Sequence, residues 1–462
     1  MYACPEGYHE LTSALLIACP CSFVLIDEGA NSAKGEAELT LDNETLSVMP
    51  SFGEPVYIPL IDISEILPGE YLVQIEIISG EKLVLRDLGY KFGDFVSNLY
   101  SARNKEIVKH LLMNETIKKP PILGELTLVE PSGGAKQHER CEIRLYETAL
   151  VLMPSDAEPV RLHFSTLGQI ETKDFTIAIT TDSMEKAIIS KLGSEYHNLA
   201  RDLSDAINTL NIRTQIFLKE ISPSSSPTTI KSLSRIMKDG KAASSASIKS
   251  VSPALWIDFE RKIEQTKIWG EYNYLKSISR QDLIAVGVKR GLMGDITGNY
   301  LWLMLPIYGN DAGYGNAVAL ESVRMPTAEQ MDHDRDQFEE SSAGGNATYF
   351  FRIAGTDEYA KLSRNIEQLD VQANMFAGKL SQLMLDINFR REPIYLSDQK
   401  IYADPQYAKY RYAARKISSL RELRKLFIGR VIHSSFERWK SDVSDLLTFN
   451  KSAPDGARCE KT

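Results

Sequence analysis

The chain has 462 residues, of which 43% are apolar and 25% are charged, and its formal net charge is −9. This composition is typical of a soluble protein with roughly three domains of about 150 residues each, and it excludes collagen-like and polytopic membrane chains. The five cysteines are odd in number and scattered, which excludes a disulfide framework and a zinc site of paired CxxC ligands, and favours a reducing compartment.

Residues 1–21 are predicted to form an N-terminal tail. The apolar stretch from Leu11 to Ile26 is interrupted by Pro20 and is shorter than the roughly 20 apolar residues that span a bilayer. A secretory signal needs a positively charged start, and the first basic residue is Lys34. We therefore expect no transmembrane helix and a cytoplasmic location.

An internal repeat organises the next two hundred residues. Residues 38–99 align with residues 142–203 at an offset of 104 without a gap, with 17 identities in 62 positions. The clearest block is Met49-Pro50-Ser51 with Glu54-Pro55-Val56, which returns as Met153-Pro154-Ser155 with Glu158-Pro159-Val160. Solenoid units repeat every 20 to 50 residues, so this longer period indicates duplicated domains. We name them repeat 1 (residues 22–116) and repeat 2 (residues 121–221).

Each repeat is predicted to contain several short strands followed by one helix. In repeat 1, apolar and polar residues alternate over residues 37–41 and 45–49, with turn residues between them. After Gly89 the apolar period changes to about 3.6 residues, so Phe95 and Leu99 share one face of a helix. This inventory predicts a small antiparallel barrel whose open end is covered by the helix.

The order of these elements resembles a known family. With the run Ile58-Pro59-Leu60-Ile61-Asp62-Ile63-Ser64-Glu65-Ile66 before the second sheet, the two repeats resemble the pleckstrin-homology (PH) superfold in its divergent GRAM-like or bacterial form. The terminal helix of the classical family usually carries a tryptophan. This chain departs from that pattern, because its four tryptophans lie outside both repeats. More faintly, the tandem pair resembles the archaeal taxis adaptor that links a response regulator to the archaellum. The resemblance implies tandem barrels that bind partners.

The C-terminal half begins with a serine-rich segment, residues 222–254, whose composition predicts a mobile linker. A third PH-like or β-plus-helix unit is expected over residues 255–398, with strand-like runs at 283–288, 300–305 and 347–353. A long amphipathic helix is expected over about residues 357–388. The polar insertion at residues 306–346 is of a length that is usually functional or disordered.

A basic helical region, residues 405–449, and a disordered tail, residues 450–462, are predicted to end the chain. Residues 405–440 carry ten basic and two acidic side chains, whereas residues 1–220 carry 19 basic and 33 acidic ones. These opposite charges favour an intramolecular contact between the basic region and the acidic repeats. The basic side chains are also candidates for contact with an anionic ligand or partner: Arg411, Arg415, Lys416, Arg421, Arg424, Lys425 and Arg430.

No catalytic or cofactor-binding constellation is recognisable, and we predict that the chain is not an enzyme and needs no cofactor. Asp332, His333, Asp334 and Asp336 crowd potential ligands for a hard cation, but they lack the EF-hand order, so a solvated acidic loop is favoured over a metal site. Phosphoinositide binding would need several cations near the first hairpin of a barrel. Repeat 2 offers Lys136, Arg140 and Arg144 there, interleaved with Glu139 and Glu142.

The sequence therefore predicts an α+β multidomain protein. Two tandem PH-like antiparallel β-barrels, each capped by a C-terminal α-helix, precede a third β-rich unit with a long helix and a helical C-terminus. The predicted function is that of a non-enzymatic signalling adaptor, which binds protein partners through barrel edges and the groove beside the capping helix. The alternative is a peripheral binder of anionic membrane lipid or nucleic acid through the basic C-terminal helices.

Overall fold

The computed structural model describes residues 15–27, 29–111, 115–291, 298–308, 315–325 and 347–459. Asp332, His333, Asp334 and Asp336, the candidate cation ligands of the polar insertion, lie outside these residues.

Repeat 1 is a curled seven-stranded antiparallel sheet followed by one helix. Its elements are β1 (Ile17–Asp27), β2 (Ala30–Leu41), β3 (Thr45–Pro50), β4 (Val56–Pro59), β5 (Ile63–Pro68), β6 (Leu72–Ile77), β7 (Lys82–Arg86) and α1 (Phe92–His110). The strand order is β4-β3-β2-β1-β7-β6-β5. Strand β1 begins inside the predicted tail, because Cys19 and Cys21 are buried in the barrel core.

Repeat 2 has the same elements in the same order. They are β8 (Ile122–Val129), β9 (Ala135–Leu145), β10 (Ala149–Pro154), β11 (Val160–His163), β12 (Leu167–Lys173), β13 (Thr176–Thr181), β14 (Lys186–Ser190) and α2 (Tyr196–Ile221). The strand order is β11-β10-β9-β8-β14-β13-β12. Helices α1 and α2 begin 104 positions apart, at Phe92 and Tyr196. The predicted pair of duplicated, helix-capped sheets is confirmed.

Each repeat has its own apolar core, because alternate residues of every strand point inwards. In repeat 1, Leu39, Ile75 and Leu85 are fully buried, and α1 adds Phe95 and Leu99 to the same cluster. The equivalent core of repeat 2 contains side chains from its strands and from α2. The helix thus covers apolar surface that an open sheet would expose.

The remainder of the described chain forms a third unit around one sheet. Its elements are α3 (Pro227–Ile236), β15 (Ala242–Ser244), α4 (Ser245–Val251), α5 (Pro253–Glu264), α6 (Trp269–Ser277), β16 (Ala285–Gly291), β17 (Gly298–Ile307), β18 (Ala317–Met325), β19 (Ala347–Phe351), α7 (Thr356–Leu362), α8 (Ile366–Asp386), α9 (Glu392–Tyr395), α10 (Asp398–Ala403), α11 (Arg411–Lys416), α12 (Ser418–Leu426), β20 (Phe427–Ile432) and α13 (Phe436–Ser452). Strands β15 to β20 are neighbours in chain order and antiparallel.

Two apolar cores, one on each face, enclose this sheet. Helices α3 to α6 and α13 contribute to the core that contains Leu301 and Leu303, and α8 to α12 contribute to the core that contains Trp302 and Met304. Successive residues of β17 are therefore buried on opposite faces. The expected β-rich unit with a long helix is present, but it is a sheet between two helical layers rather than a further seven-stranded half-barrel.

The serine-rich segment differs from the mobile linker that its composition predicts. Ser226 and Ser244 are N-caps, since their side chains accept hydrogen bonds from the backbone N–H groups of Thr229 and Ser247. Leu233 and Met237 are fully buried in the third unit. Serines in this segment thus begin helices, and the apolar residues between them belong to a core.

The C-terminal boundaries also differ from those predicted. The basic region contains strand β20, which pairs with β19 and completes the sheet. The predicted disordered tail is packed over residues 450–459: Arg352 donates to the Pro454 carbonyl at 2.9 Å and to Asp455 at 2.8 Å, and the Cys459 N–H donates to the Ile428 carbonyl at 2.7 Å. Composition alone does not reveal these contacts, because their partners are far away in the chain.

Candidate partner-binding surface

Three residues of the predicted basic cluster contact the repeats. Arg411 donates to Asp62 of repeat 1 at 3.1 Å, Arg415 donates to the Ile63 carbonyl at 3.4 Å, and Lys416 pairs with Glu158 of repeat 2 at 3.2 Å. The predicted contact between the basic region and the acidic repeats is thus present in the structure. Only a few of the charged side chains of the basic region and of the repeats take part in this contact.

The other four members of the cluster divide between buried and exposed positions. Arg424 is buried and donates to the carbonyls of Pro393 and Leu396 and to Asp398. Arg430 lies 3.9 Å from the centroid of the Tyr395 ring. Arg421 and Lys425 are exposed on α12 and make no ion pair within the described part of the chain. The structure therefore does not assemble the seven residues into one cationic face.

The three candidate cations of repeat 2 lie along β9. Lys136 and Arg140 are exposed, whereas Arg144 is half-buried and pairs with Glu142 at 2.6 Å. Arg140 lines a polar cleft of about 210 Å³ between α1 and repeat 2, together with Asp94, Ser97, Ser101, Asn104 and Glu142. The acidic neighbours offset the cations, and the arrangement does not concentrate positive charge.

Repeat 1 and repeat 2 are joined by the C-terminal half of α1. Ile107, Val108 and Leu111 pack with Tyr146 and Val151 on the outer face of repeat 2 in a small separate core. Asn104 reinforces this contact by donating to the carbonyls of Pro154 and Ala157 at 3.0 and 2.8 Å. Helix α2 in turn contributes Phe217 and Ile221 to a core of the third unit. Each capping helix therefore also docks on the next unit.

A deeply buried polar group lies where repeat 2 meets the third unit. His163 is buried with its Nε2 atom 3.5 Å from Asp386 of α8. Burial, reinforced by the positive charge of Arg161, lowers the pKa of His163 to about 4. Burial raises the pKa of Glu115, but the charge of Arg161 and a hydrogen bond from Thr148 outweigh it, so that this pKa is lowered overall. These groups are enclosed within an interface and do not form an open site.

The edge strand β5 of repeat 1 is covered by its own capping helix. Tyr100 donates its hydroxyl to the Ile66 carbonyl at 2.9 Å, and Arg103 donates to the carbonyls of Ile63 and Ser64 at 3.2 and 3.3 Å. Pro68 at the end of the strand has no N–H group to offer. Side-chain hydrogen bonds and proline are both means by which proteins block edge-to-edge pairing.

The equivalent edge of repeat 2, strand β12, lacks all three of these residue types at the matching positions. Ser204 and Ile207 stand where repeat 1 has Tyr100 and Arg103, and Thr172 replaces Pro68. Residues 168–173 are exposed, and the side chain of Ile170 is 36% accessible, whereas that of its counterpart Ile66 is 5% accessible.

The backbone of β12 offers hydrogen-bonding groups along this edge. Lys173 and Thr176 flank a two-residue turn, and antiparallel pairs alternate between bonded and non-bonded. The N–H and C=O groups of Ile170 and Thr172 therefore point away from β13, and within the described chain no other group bonds to them. One face of a short extended peptide could pair here, beside α2.

An aromatic cluster lies at the end of this edge, in which Phe175 and His197 are exposed and Tyr196 is buried. The Phe175 ring is 5.5 Å from that of Tyr196 and 6.3 Å from that of His197, measured between centroids. Phe175 follows β12 directly, and the other two residues begin α2. We call β12, the start of α2 and this cluster the β12–α2 groove.

The signal for this groove was present in the repeat alignment. Positions 68, 100 and 103 differ from 172, 204 and 207 in residues that decide whether an edge strand is covered. The alignment cannot show that Tyr100 and Arg103 point at β5. The effect of the three differences on the edge strand is therefore visible only in the fold.

The described residues contain no group of three or more His, Cys, Asp or Glu side chains placed to hold a metal ion. Among the helices that the structure describes, none has the length and apolar character needed to cross a membrane.

No protein-family model and no curated protein matches this sequence. Solved structures similar to part of the chain include the N-terminal PH domain of human ARAP2, with 16% identity, a TM-score of 0.17, and coverage of 22% of this chain and 90% of that one. The C-terminal domain of an unknown protein from Leishmania infantum has 17% identity, a TM-score of 0.18, and coverage of 20% and 85%. The Spt16D Pob3N heterodimer has 10% identity, a TM-score of 0.16, and coverage of 36% and 85%. The two seven-stranded antiparallel sheets of this chain are curled half-barrels.

Proposed function

We propose that this protein is a non-enzymatic adaptor that binds an extended segment of a partner protein along the β12–α2 groove. The observation that carries the proposal is the contrast between the two edges. Repeat 1 closes β5 with Tyr100, Arg103 and Pro68, and repeat 2 leaves β12 open. In this proposal repeat 1 supports the assembly, and repeat 2 is available to a partner.

Main-chain hydrogen bonds supply affinity in this mode of recognition, and neighbouring side chains supply specificity. The outward-pointing groups of Ile170 and Thr172 provide two donors and two acceptors. The exposed side of Ile170 gives a partner some apolar surface to cover. The rest of the molecule holds the groove in place, since α2 docks on the third unit and α1 docks on repeat 2.

The alternative function, binding of anionic lipid or nucleic acid by the basic C-terminal helices, has less support. Five of the seven candidate residues in that region already contact carbonyl groups, carboxylates or an aromatic ring of the same chain. Phosphate recognition needs several cations that are free to converge on one ligand.

The proposal is tested by selecting peptides of about twelve residues from a random display library against the full chain and titrating the selected peptides in solution. Thr172→Pro copies repeat 1 and removes an outward-facing N–H, so the pairing with β13 is retained. We expect this variant to keep the melting temperature within a few degrees and to lose at least tenfold in affinity.

Thr172→Ala is the matched control, because it removes the same side chain and keeps the N–H group. Its affinity should stay within about twofold of the parent. A library that yields no peptide for the parent chain, or peptides that bind Thr172→Pro as tightly as Thr172→Ala, would contradict the proposed function.

A further inference from the structure

The turn between β12 and β13 holds an aromatic residue in an unfavourable backbone conformation. Asp174 and Phe175 have φ angles of 51° and 58°, both in the left-handed region. Two-residue hairpin turns of this kind favour Asn-Gly or Asp-Gly, because glycine adopts positive φ without strain. Asp174 suits its position, whereas a bulky residue in the second position is an outlier.

Burial does not compensate for this strain. Phe175 is 68% accessible, and its ring lies near the rings of Tyr196 and His197. These two rings lie 4.9 Å apart in an edge-to-face arrangement. Tyr196 is buried, so Phe175 and His197 supply the exposed aromatic surface. Strained backbone positions cluster at ligand-binding sites, so this residue is a candidate for contact with a partner.

Repeat 1 supplies an internal comparison. Tyr71 stands at the equivalent position, also with a positive φ of 59°, and its ring lies 6.5 Å from Phe92 at the start of α1. The strand before it, β5, is closed along its edge by Tyr100 and Arg103. Both repeats therefore place an aromatic ring beside the helix start, but only in repeat 2 does this ring border an open edge.

We infer that Phe175, with the neighbouring His197 ring, anchors an apolar side chain of the partner segment: leucine, isoleucine, valine, methionine or proline. This inference rests on the proposed function, because a strand added to β12 would run past the cluster. A side chain near the position opposite Lys173 would lie against the Phe175 ring. The ammonium of Lys173 beside the cluster lies 3.9 Å from the Asp174 carboxylate, which offsets its charge. The rings themselves favour aliphatic groups and proline, which pack on ring faces.

The test is Phe175→Gly, measured with the peptides selected against the full chain. Glycine relieves the strained turn, so the melting temperature should stay the same or rise. Affinity should fall at least tenfold, and a selection repeated on the variant should lose the preference for an apolar residue at one fixed position. Tyr71→Gly makes the same change in repeat 1 and should leave affinity within twofold.

The two proposals fail in different ways. If peptides bind and Thr172→Pro abolishes binding, but Phe175→Gly keeps the same affinity and the same sequence preference, the anchor is wrong and the adaptor function stands. If Phe175→Gly lowers the melting temperature by several degrees while the sequence preference persists, the ring has a structural role and the anchor is likewise wrong. If no peptide binds the parent chain, the proposed function itself is overturned.

Discussion

The guanidinium of Arg103 in repeat 1 lies 2.8 Å from the carboxylate of Glu158 in repeat 2. The same guanidinium covers β5, so one side chain both closes an edge and joins two domains. Glu158 also accepts the Tyr412 hydroxyl at 3.1 Å and pairs with Lys416 of the third unit at 3.2 Å. Burial raises the pKa of Glu158, but Arg103 and Lys416 outweigh it and lower that pKa overall. Three units of the chain thus meet at one carboxylate.

Glu158→Gln should weaken this junction. The substitution removes the negative charge that Arg103 and Lys416 share, and Arg103 is itself buried. We expect a loss of about 1–2 kcal/mol in the free energy of unfolding, at the low end because the carboxylate is partly solvated. Urea unfolding followed by tryptophan fluorescence measures it. Glu54→Gln alters the repeat 1 counterpart, which is exposed, and should cost less than about 0.5 kcal/mol. If the two variants lowered the free energy of unfolding by the same amount, the stabilising role assigned to Glu158 would be wrong.

Arg424→Met and Arg421→Met should differ sharply, although the two residues are one helical turn apart. Arg424 is buried and bonds to two carbonyl groups and Asp398, which would lose their donor. We expect a cost of about 2–4 kcal/mol for Arg424→Met and less than about 0.5 kcal/mol for Arg421→Met. Both variants remove one positive charge, and chemical denaturation measures their free energies of unfolding. Similar values for the two variants would show that only the total charge of the cluster matters, which would contradict this prediction.

Two glycine substitutions should change stability in opposite directions. A Cβ atom at Gly287 of β16 would lie 2.2 Å from the indole nitrogen of Trp302, which is fully buried on the neighbouring strand. We expect Gly287→Ala to cost on the order of 2 kcal/mol or more, as overpacking does. Gly378→Ala, on the exposed side of α8 with nothing within 4 Å, should gain about 0.5–1 kcal/mol. Differential scanning calorimetry gives the sign of each, and a stabilising Gly287→Ala would refute the close packing of β16 on β17.

Mild acid should destabilise the contact between repeat 2 and the third unit. The folded pKa of His163 is about 4, below the ordinary value of 6.5, so the unfolded chain binds a proton that the folded chain does not. Stability therefore falls as pH decreases from about 6.5 towards 4, by on the order of 1–2 kcal/mol between pH 7 and pH 5. The lowered pKa of Glu115 adds a further loss below about pH 4.5, where the unfolded carboxylate takes up its proton.

His163→Asn should flatten this dependence between pH 7 and pH 5, whereas His197→Asn, an exposed histidine, should not. The measurement is the urea midpoint at several pH values for the parent and both variants. A pH dependence that survives unchanged in His163→Asn would show that another group is responsible.

Local patterns explain why the duplicated half of the chain could be predicted. The alternation at residues 37–41 and the helical period after Gly89 depend on neighbours in sequence, and their recurrence 104 positions later supports both assignments. The predicted sheets and capping helices accordingly match the structure. The serine-rich segment was predicted poorly for the converse reason: Leu233 and Met237 are buried by residues far away in the chain.

The amino-acid sequence by itself determined that two copies of a strand-rich domain exist, that a helix follows each, and that the basic side chains gather near one end, because these properties belong to neighbouring residues. Tertiary structure decided which edge is open. The difference between Tyr100 and Ser204 has no structural meaning until the helix is placed against the strand. The hydrogen bond from Tyr100 to the Ile66 carbonyl forms only when folding brings together two residues 34 positions apart. Long-range geometry, not composition, therefore separates the supporting repeat from the one that we propose binds a partner.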